Sequence, residues 1–264
     1  MSVKQRTLKS EFSLNGKGLH TGKQVTATFK PAEENFGYRI RRMDLEGSPE
    51  IPALAEYVKL MDRASCLEKD GVCVFTMEHA MAALYGCGID NCLIELSGEE
   101  FPILDGSAKY YVEEIEKVGF EEQKADRRYF TVKEQMEFCS EDGQTKITLL
   151  PDTDYNINLV VAYDSPYLQM QYATYSEKVT DFAKEIAPCR TFVFLRELEM
   201  LLQHNLIKGG DLDNAIVIVD REISQEEVNR LAKLFNHDSI EVKQGILNNL
   251  DLYFDNEPAR HKLL

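Results

Sequence analysis

Polar and apolar residues alternate over several short stretches in the first third of the chain. Successive side chains of a strand point to opposite faces of a sheet, so this alternation predicts strands over residues 5–14, 24–29 and 91–96. Residues 38–42 also have a strand-like pattern, and we expect their three arginines to lie on a solvated sheet face rather than at an anion site. The first third of the chain therefore predicts a β-sheet.

A helical period replaces this alternation after residue 75. Thr76 is a candidate N-cap and Gly86 a candidate stop, which leaves room for about two and a half turns. The apolar residues of the segment recur at i, i+3, i+4 and i+7, and they are Met77, Ala80, Met81 and Leu84. The pattern predicts a short helix that is buried on one face.

A second helical segment follows a turn at residues 101–106. Ser107 is its expected N-cap and Gly119 its expected end. Its apolar stripe consists of Ala108, Tyr111, Val112, Ile115 and Val118. The polar residues 121–128 then predict a linker, and we place a domain boundary near Lys124.

Strand patterns return in the second half of the chain, over residues 129–138, 145–150, 155–163 and 168–175. A helix is predicted over residues 179–186, another around the apolar stripe of Leu195, Leu198, Leu201 and Leu202 with His204 near its end, and a strand over residues 215–219. Strands followed by helices in both halves predict an α+β protein of two domains, residues 1–124 and 125–264.

Composition limits the function classes. Among the 264 residues, 44% are hydrophobic, and no apolar run approaches the ~20 residues of a membrane span. The N-terminus has no apolar signal segment, so we expect a cytoplasmic protein. A net charge of -15 argues against non-specific nucleic-acid binding. The six cysteines have no C-x-x-C spacing, which indicates neither a disulfide framework nor a thiolate zinc site.

Two ionisable residues, Glu78 and His79, open the first helix. They are adjacent, as are the base and one metal ligand of zinc proteases. The structural alternative is that Glu78 complements the helix dipole and His79 is a hydrogen-bonded polar residue. Two residues are a weak motif, so by themselves they favour the structural interpretation and leave the metal site open.

A serine nucleophile is a further candidate, because Asp105 and Ser107 lie close in sequence. Ser107 is better placed as a helix cap, and no Gly-x-Ser-x-Gly elbow surrounds it. The glycine-rich residues 16–22 are followed by a strand pattern where a dinucleotide-binding motif requires a helix. We discard both interpretations.

Six motifs carry a resemblance to a known family. They are Gln5-Arg6-Thr7, Gly18-Leu19-His20-Thr21-Gly22, Thr76-Met77-Glu78-His79, Phe101-Pro102-Ile103-Leu104-Asp105-Gly106-Ser107-Ala108, Arg190-Thr191-Phe192 and Arg260-His261-Lys262. In their order and spacing the chain resembles the UDP-3-O-acyl-N-acetylglucosamine deacetylase family, metal-dependent amidases of lipid A biosynthesis in Gram-negative bacteria. The resemblance implies two similar α+β domains, with helices packed between two sheets and the active site at the domain junction.

The resemblance also implies a metal site. His79 and His261 would bind Zn²⁺, or Fe²⁺ in cells, and Glu78 would be the base that activates water. His20 would lie near the metal, although a histidine in a glycine-rich turn is as often structural. Cys66 matches a family cysteine close to the site, but we assign it no catalytic role because no base for a thiol nucleophile is evident.

The implied substrate is a UDP-linked acylated amino sugar, UDP-3-O-(3-hydroxyacyl)-N-acetylglucosamine, which loses acetate. Thr191 would hydrogen-bond the oxyanion, Lys262 would meet the anionic substrate, and Phe192 would pack against the sugar or acyl chain. The segment 194–217 resembles the acyl-chain passage of the family, lined by Leu195, Leu198, Leu201 and Leu202. At Leu150, many relatives instead carry a lysine that meets substrate.

The resemblance further implies an Asp ligand one turn after His261 and a later histidine that is the general acid. Both would follow Leu264, so we expect a fragment without deacetylase activity, in which His261 lies at a frayed terminus. The alternative function is a catalytically silent α+β binding module. Some relatives are fused to a 3-hydroxyacyl-carrier-protein dehydratase, and the resemblance allows such a domain after residue 264.

Overall fold

The protein is represented by a computed structural model that describes residues 3–61, 64–163, 165, 168–203, 207–243, 245–247 and 250–264. Strands of the first half are β1 (Lys4–Leu8), β2 (Phe12–Lys17), β3 (Gln24–Pro31), β4 (Tyr38–Arg42), β5 (Glu50–Pro52), β6 (Val58–Met61), β7 (Ala64–Lys69), β8 (Val72–Phe75), β9 (Cys92–Leu96) and β10 (Phe120–Asp126). Strands of the second half are β11 (Met136–Cys139), β12 (Lys146–Leu149), β13 (Asn156–Val161), β14 (Gln171–Ser176), β15 (Phe192–Phe194) and β16 (Ile216–Ile218). The helices are α1 (Glu78–Gly86), α2 (Lys109–Val118), α3 (Phe182–Glu185), α4 (Leu195–Gln203), α5 (Gln225–Leu234) and α6 (Glu257–His261). The predicted α+β class is confirmed.

A five-stranded sheet in the order β2-β3-β9-β4-β5 forms the core of the first half. The pair β4–β9 is parallel and the other pairs are antiparallel. Alternating residues of β3 are buried, and Phe29 stacks on Phe12 at 4.7 Å between ring centroids and meets the edge of Tyr111 on α2. Helices α1 and α2 pack against each other and share this core, which fixes the position of the α1 N-terminus.

The predicted strand over residues 5–14 is two strands, because β1 leaves the main sheet. It pairs with β10 in antiparallel register, with Leu8 opposite Phe120. The prediction of a polar linker at residues 121–128 is therefore wrong, and a boundary near Lys124 would fall within β10. β10 is rich in Glu, Gln and Lys, so it lacks the alternation of apolar and polar residues by which strands are predicted. Pairing with β1 still gives its backbone N–H and C=O groups hydrogen-bond partners. The division into two domains stays a prediction.

The arginines of β4 do not share one face. Arg41 forms an ion pair with Glu50 and a second one with Glu95 at 3.0 Å on the outer side of the sheet. Arg42 is 6% exposed, pairs with Asp44 at 2.8 Å, and donates to the carbonyl of Cys73. Neighbouring residues of a strand point to opposite faces, so the prediction of a solvated face fails for Arg42.

The second half is built from smaller sheets. β11 pairs with β12 and β13 pairs with β14 as antiparallel hairpins, whereas β15 and β16 run parallel. Buried side chains of α4, β16 and α5 form a separate cluster that includes Leu195, Leu198, Val217 and Leu231. Leu195 and Leu198 belong to this core, and Leu201 is also buried. The acyl-chain passage at residues 194–217 stays a prediction. His204 and the side chain of Leu202 lie outside the described residues.

Backbone contacts join the two halves where the site lies. Thr191 donates its N–H to the carbonyl of Gly106 at 2.8 Å, and Gly209 donates to Leu19 at 3.0 Å. Gly106 has φ +80°, and a Cβ there would collide with the carbonyl of Asn214. Only glycine permits both this conformation and this approach. Within the described ranges, no helix is sufficiently long and apolar to cross a membrane.

Candidate metal and catalytic site

A sharp turn places the first two site residues. β8 ends at Phe75, and Thr76 then takes the left-handed conformation with φ +57°, which is uncommon for a β-branched residue. Thr76 does not cap α1 as predicted, because its hydroxyl donates to Glu100 at 3.0 Å. The N-cap is Met77, and no side-chain capping bond is formed. The turn is thus held by Glu100, and it puts Glu78 and His79 in the first turn of the helix.

Glu100 is a buried carboxylate at 1% exposure that sequence reasoning missed. Oε1 accepts the backbone N–H of His20 at 2.9 Å and the Thr76 hydroxyl at 3.0 Å. Oε2 accepts the backbone N–H of Thr21 at 2.9 Å and its hydroxyl at 2.8 Å. A Cβ at Gly18 would collide with Oε2, so that glycine lets the loop close over the carboxylate. Glu100 therefore ties the loop of His20 to the start of α1.

Burial perturbs both site residues of α1. Desolvation raises the pKa of Glu78, and the neighbouring Glu100 adds to the rise while His20 and Lys262 oppose it. Desolvation lowers the pKa of His79 to about 3, with a smaller contribution from the nearby His261, so its imidazole is neutral at pH 7. Within the described part of the chain, Glu78 Oε2 and both ring nitrogens of His79 are buried without a hydrogen-bond partner. The predicted alternative of a hydrogen-bonded structural His79 is therefore wrong.

His261 lies beside His79, with 5.3 Å between the ring centroids. It is the last residue of α6, and its Nδ1 lies 3.0 Å from the carbonyl oxygen of Cys189. Desolvation lowers the pKa of His261 to about 4, against the opposing effect of the Cys189 contact. The expectation of a frayed terminus is wrong, because α6 packs on β13 and β14 through Ala259, and Leu263 after the helix joins the same buried cluster.

These residues fit a metal ion in their donor chemistry. A carbonyl only accepts, so Cys189 selects the Nδ1–H tautomer of His261 and leaves the Nε2 lone pair available. Neutral imidazoles are good ligands for zinc, and a metal ion could bind a ring nitrogen of His79 that has no hydrogen-bond partner among the described residues. Among the described residues, however, no group of three or more His, Cys, Asp or Glu is assembled around one point. The described chain thus offers two candidate ligands beside a buried carboxylate.

Three predicted substrate-contact residues lie around this pair. Lys262 follows His261, is exposed, and has its Nζ 5.4 Å from the centroid of the Phe192 ring. Phe192 packs edge-on against Tyr163 at 5.6 Å and Phe194 at 6.1 Å, in an aromatic cluster. Thr191 stands between Phe192 and the Arg190 segment, two residues after the Cys189 carbonyl that contacts His261. The Cys189 contact and the Lys262–Phe192 contact therefore connect residues 189–192 to His261.

An apolar cavity of about 420 Å³ opens on the other side of Glu78. Its lining includes Met77, Met81, Tyr155 and Leu263. Glu78 is thus a carboxylate at the edge of an apolar space, which agrees with the desolvation that raises its pKa.

The other candidates keep structural roles. Ser107 donates to Asp105 at 2.7 Å and accepts the N–H of Lys109 at 3.1 Å, although Ala108 is the N-cap, one residue later than predicted. Cys66 is fully buried, and desolvation raises the pKa of its thiol to about 11. Neither residue has the environment of an activated nucleophile.

An α+β fold that brings a buried carboxylate beside two neutral imidazoles is typical of a metal-dependent hydrolase. Comparison with known proteins gives the family. The family model described as UDP-3-O-acyl N-acetylglycosamine deacetylase (LpxC) matches residues 5–238, and the chain belongs to this family.

The similar proteins have two kinds of name. The chain is 52% identical over 263 residues to the bifunctional enzyme LpxC/FabZ of Bacteroides thetaiotaomicron, covering 99% of this chain and 57% of that protein. It is 50% identical to the protein of the same name from Porphyromonas gingivalis, covering 99% of this chain and 56% of that protein. It is 40% identical over 254 residues to the UDP-3-O-acyl-N-acetylglucosamine deacetylase of Marinobacter nauticus, covering 95% of this chain and 81% of that protein. The chain thus spans little more than half the length of the two bifunctional relatives.

Proposed function

We propose that this protein is a metal-dependent deacetylase that removes acetate from UDP-3-O-(3-hydroxyacyl)-N-acetylglucosamine in lipid A biosynthesis. The observation that carries the proposal is the meeting of Glu78, His79 and His261, since the chain brings a buried carboxylate and two neutral imidazoles from distant segments to one place. The names of the relatives support the substrate class. The alternative, a catalytically silent binding module, does not explain why the buried nitrogens of His79 have no hydrogen-bond partner among the described residues.

His79 and His261 would hold Zn²⁺, or Fe²⁺ in cells. When bound, the metal supplies a Lewis acid that polarises the acetamide carbonyl and makes water easier to deprotonate. Glu78 takes the proton from the attacking water, and its raised pKa supports this role because a base works best when its pKa lies nearer the operating pH. The buried surroundings strengthen each of these electrostatic effects.

The second group of residues orients the substrate. The Thr191 hydroxyl donates a hydrogen bond to the negative oxygen that develops on the acetamide. Lys262 is an exposed cation beside the Phe192 ring, so it attracts the phosphates while Phe192 packs against the sugar or acyl chain. The products are acetate and a sugar with a free 2-amine.

The finer architecture belongs to the same proposal. We infer two similar α+β domains whose helices pack between two sheets, with this site at their junction, acting in the cytoplasm. The third ligand and the general acid come from residues after 264, and a dehydratase domain follows them, as the names of the bifunctional relatives suggest. Since the described residues assemble no third ligand, we expect residues 1–264 by themselves to bind zinc poorly and to release no acetate.

The test measures acetate release from UDP-3-O-(3-hydroxyacyl)-N-acetylglucosamine by this chain and by a chain that carries the downstream residues. Both are loaded with zinc, and a chelator-treated sample of each is the control. We expect release only from the zinc-loaded longer chain. No release from that chain contradicts the proposed activity, and equal release from both chains contradicts the placement of the missing groups.

A further inference from the structure

A buried ion pair joins the segments that carry Thr191 and His261. Arg190 Nε lies 2.9 Å from Glu257 Oε1, and Arg190 Nη2 lies 3.1 Å from Oε2. The backbone N–H of Arg190 also donates to Oε1 at 3.0 Å. Exposure is 6% for Arg190 and 0% for Glu257. A two-point contact of this kind fixes the orientation of both side chains as well as their separation.

The pair joins the two segments that carry the site residues. Arg190 lies between Cys189, whose carbonyl contacts His261 Nδ1, and Thr191. Glu257 opens α6, and His261 ends it one turn later. The same pair also holds the chain before α6, because Arg190 Nη2 donates to the carbonyl of Asp251 at 2.8 Å and Glu257 Oε2 accepts the N–H of Tyr253 at 2.7 Å.

Stability alone is a weak reason for such a pair. Desolvating two charges offsets most of their attraction, and a buried pair can often be replaced by apolar residues of similar volume without loss of stability. What apolar residues cannot reproduce is the directional contact between the two segments. The contact fixes the distance between the Cys189 carbonyl and the His261 ring, and thus the tautomer of that ring.

We propose that Arg190 and Glu257 are positioning residues of the deacetylase site. The buried pair keeps the Nδ1–H of His261 on the Cys189 carbonyl, which leaves the Nε2 lone pair for a metal, and it keeps Thr191 next to that position. The inference rests on the proposed function for its chemical meaning, but the contact it describes exists in the metal-free protein. It also gives a role to Arg190, the first residue of the Arg-Thr-Phe motif.

The test uses the double variant R190M/E257M of the full-length protein, which removes both charges and keeps similar side-chain volumes. The matched control is E185Q, which breaks the partly exposed 3.5 Å pair between Glu185 and Arg260 of the same helix. Thermal unfolding reports the fold, and the ¹⁵N spectrum of labelled histidine in metal-free protein reports the His261 tautomer, assigned with H261Q. Zinc affinity is measured by competition with a chelator.

We expect R190M/E257M to unfold at nearly the parent temperature, to lose the single Nδ1–H tautomer of His261, and to bind zinc about tenfold more weakly or worse. E185Q should match the parent in all three. A folded double variant with the parent's tautomer and zinc affinity overturns the inference. If the double variant does not fold, R190K decides in the same assays, because it keeps the charge and loses the two-point contact; an unchanged tautomer there also overturns it.

The two proposals fail in different ways. A full-length parent that binds no zinc and releases no acetate contradicts the proposed function. The His261 tautomer of the metal-free protein is read in either case, and it decides the positioning role.

Discussion

The two sides of the site are held by different means. Glu78 and His79 are neighbours on α1, and the carboxylate behind them, Glu100, is bound by neutral hydroxyl and amide donors. Thr191 and His261 come from separate segments, and the carboxylate behind them, Glu257, is bound by the charged Arg190. The two site residues of the first side are neighbours in sequence, whereas those of the second lie on two distant segments that are joined by a charged pair.

The largest effect is expected where that charge is broken. Glu257→Gln leaves the Arg190 cation buried without a counter-charge, so we expect the free energy of unfolding to fall by ~3–5 kcal/mol. Urea unfolding of the metal-free protein measures the change. A loss below that of the corresponding change on the first side, Glu100→Gln, would show that the two carboxylates do not differ as described.

On the first side, the largest expected effect is a loss of enzymatic turnover in Glu78→Gln. Glu78→Gln removes the base but keeps the size of the side chain, so turnover of the full-length enzyme should drop by ~10²-fold or more. Zinc content, measured on the same sample, should stay near the parent value. Parent-like turnover at parent-like zinc content would refute the assignment of Glu78 as the base.

Glu100→Gln should have an intermediate effect. The side-chain NH₂ group of the new glutamine would face the N–H and hydroxyl donors that now bind the Glu100 carboxylate, and it can accept a hydrogen bond from none of them. We therefore expect a loss of ~1–3 kcal/mol in the free energy of unfolding. Glu99→Gln is the matched control, because Glu99 forms an exposed 2.9 Å pair with Lys23 that is worth ~0–1 kcal/mol. Equal losses for the two neighbours would mean that Glu100 does not hold the turn before α1.

Both sides also share a pH dependence. Folding lowers the pKa of His79 to about 3 and that of His261 to about 4, from an unfolded value of about 6.5. The unfolded chain then binds more protons below about pH 6.5, so the free energy of unfolding of the metal-free protein should fall as the pH drops from 7 to 5. The raised pKa of Glu78 acts in the opposite direction, so the histidines are read from the variants. The stability of His79→Gln and of His261→Gln should fall less steeply than that of the parent, and parent-like slopes in both variants would contradict the burial of the two imidazoles.

The first side could be predicted from the sequence because its signals are local. The apolar period of α1 and the adjacent Glu78 and His79 lie within one short segment, and the structure keeps them there. Glu100 was not predicted, since a single carboxylate outside a helix or strand belongs to no repeating pattern of apolar and polar residues. α5 was also missed, although Ser224 caps it and Val228, Leu231 and Ala232 recur on one buried face.

The second side could not be predicted in the same way. Arg190 and Glu257 lie 67 residues apart, and no local pattern couples them. His261 lies on α6, which is ordered by packing on the distant strands β13 and β14, so the sequence alone predicted a frayed end. The polar strand β10 was hidden for a related reason, because its partner β1 lies at the other end of the first half.

The central claim is that the two sides form one metal site. Zinc titration of the full-length protein tests it most directly, with the parent, His79→Gln, His261→Gln and the double variant compared by chelator competition. His237→Gln is the control, because His237 lies 3.5 Å from Asp211 and is not one of the proposed site residues. We predict that either single change weakens zinc binding nearly as much as both changes together, while the control binds as the parent does. Parent-like zinc affinity in His261→Gln would contradict the claim, because the second side would then hold no ligand.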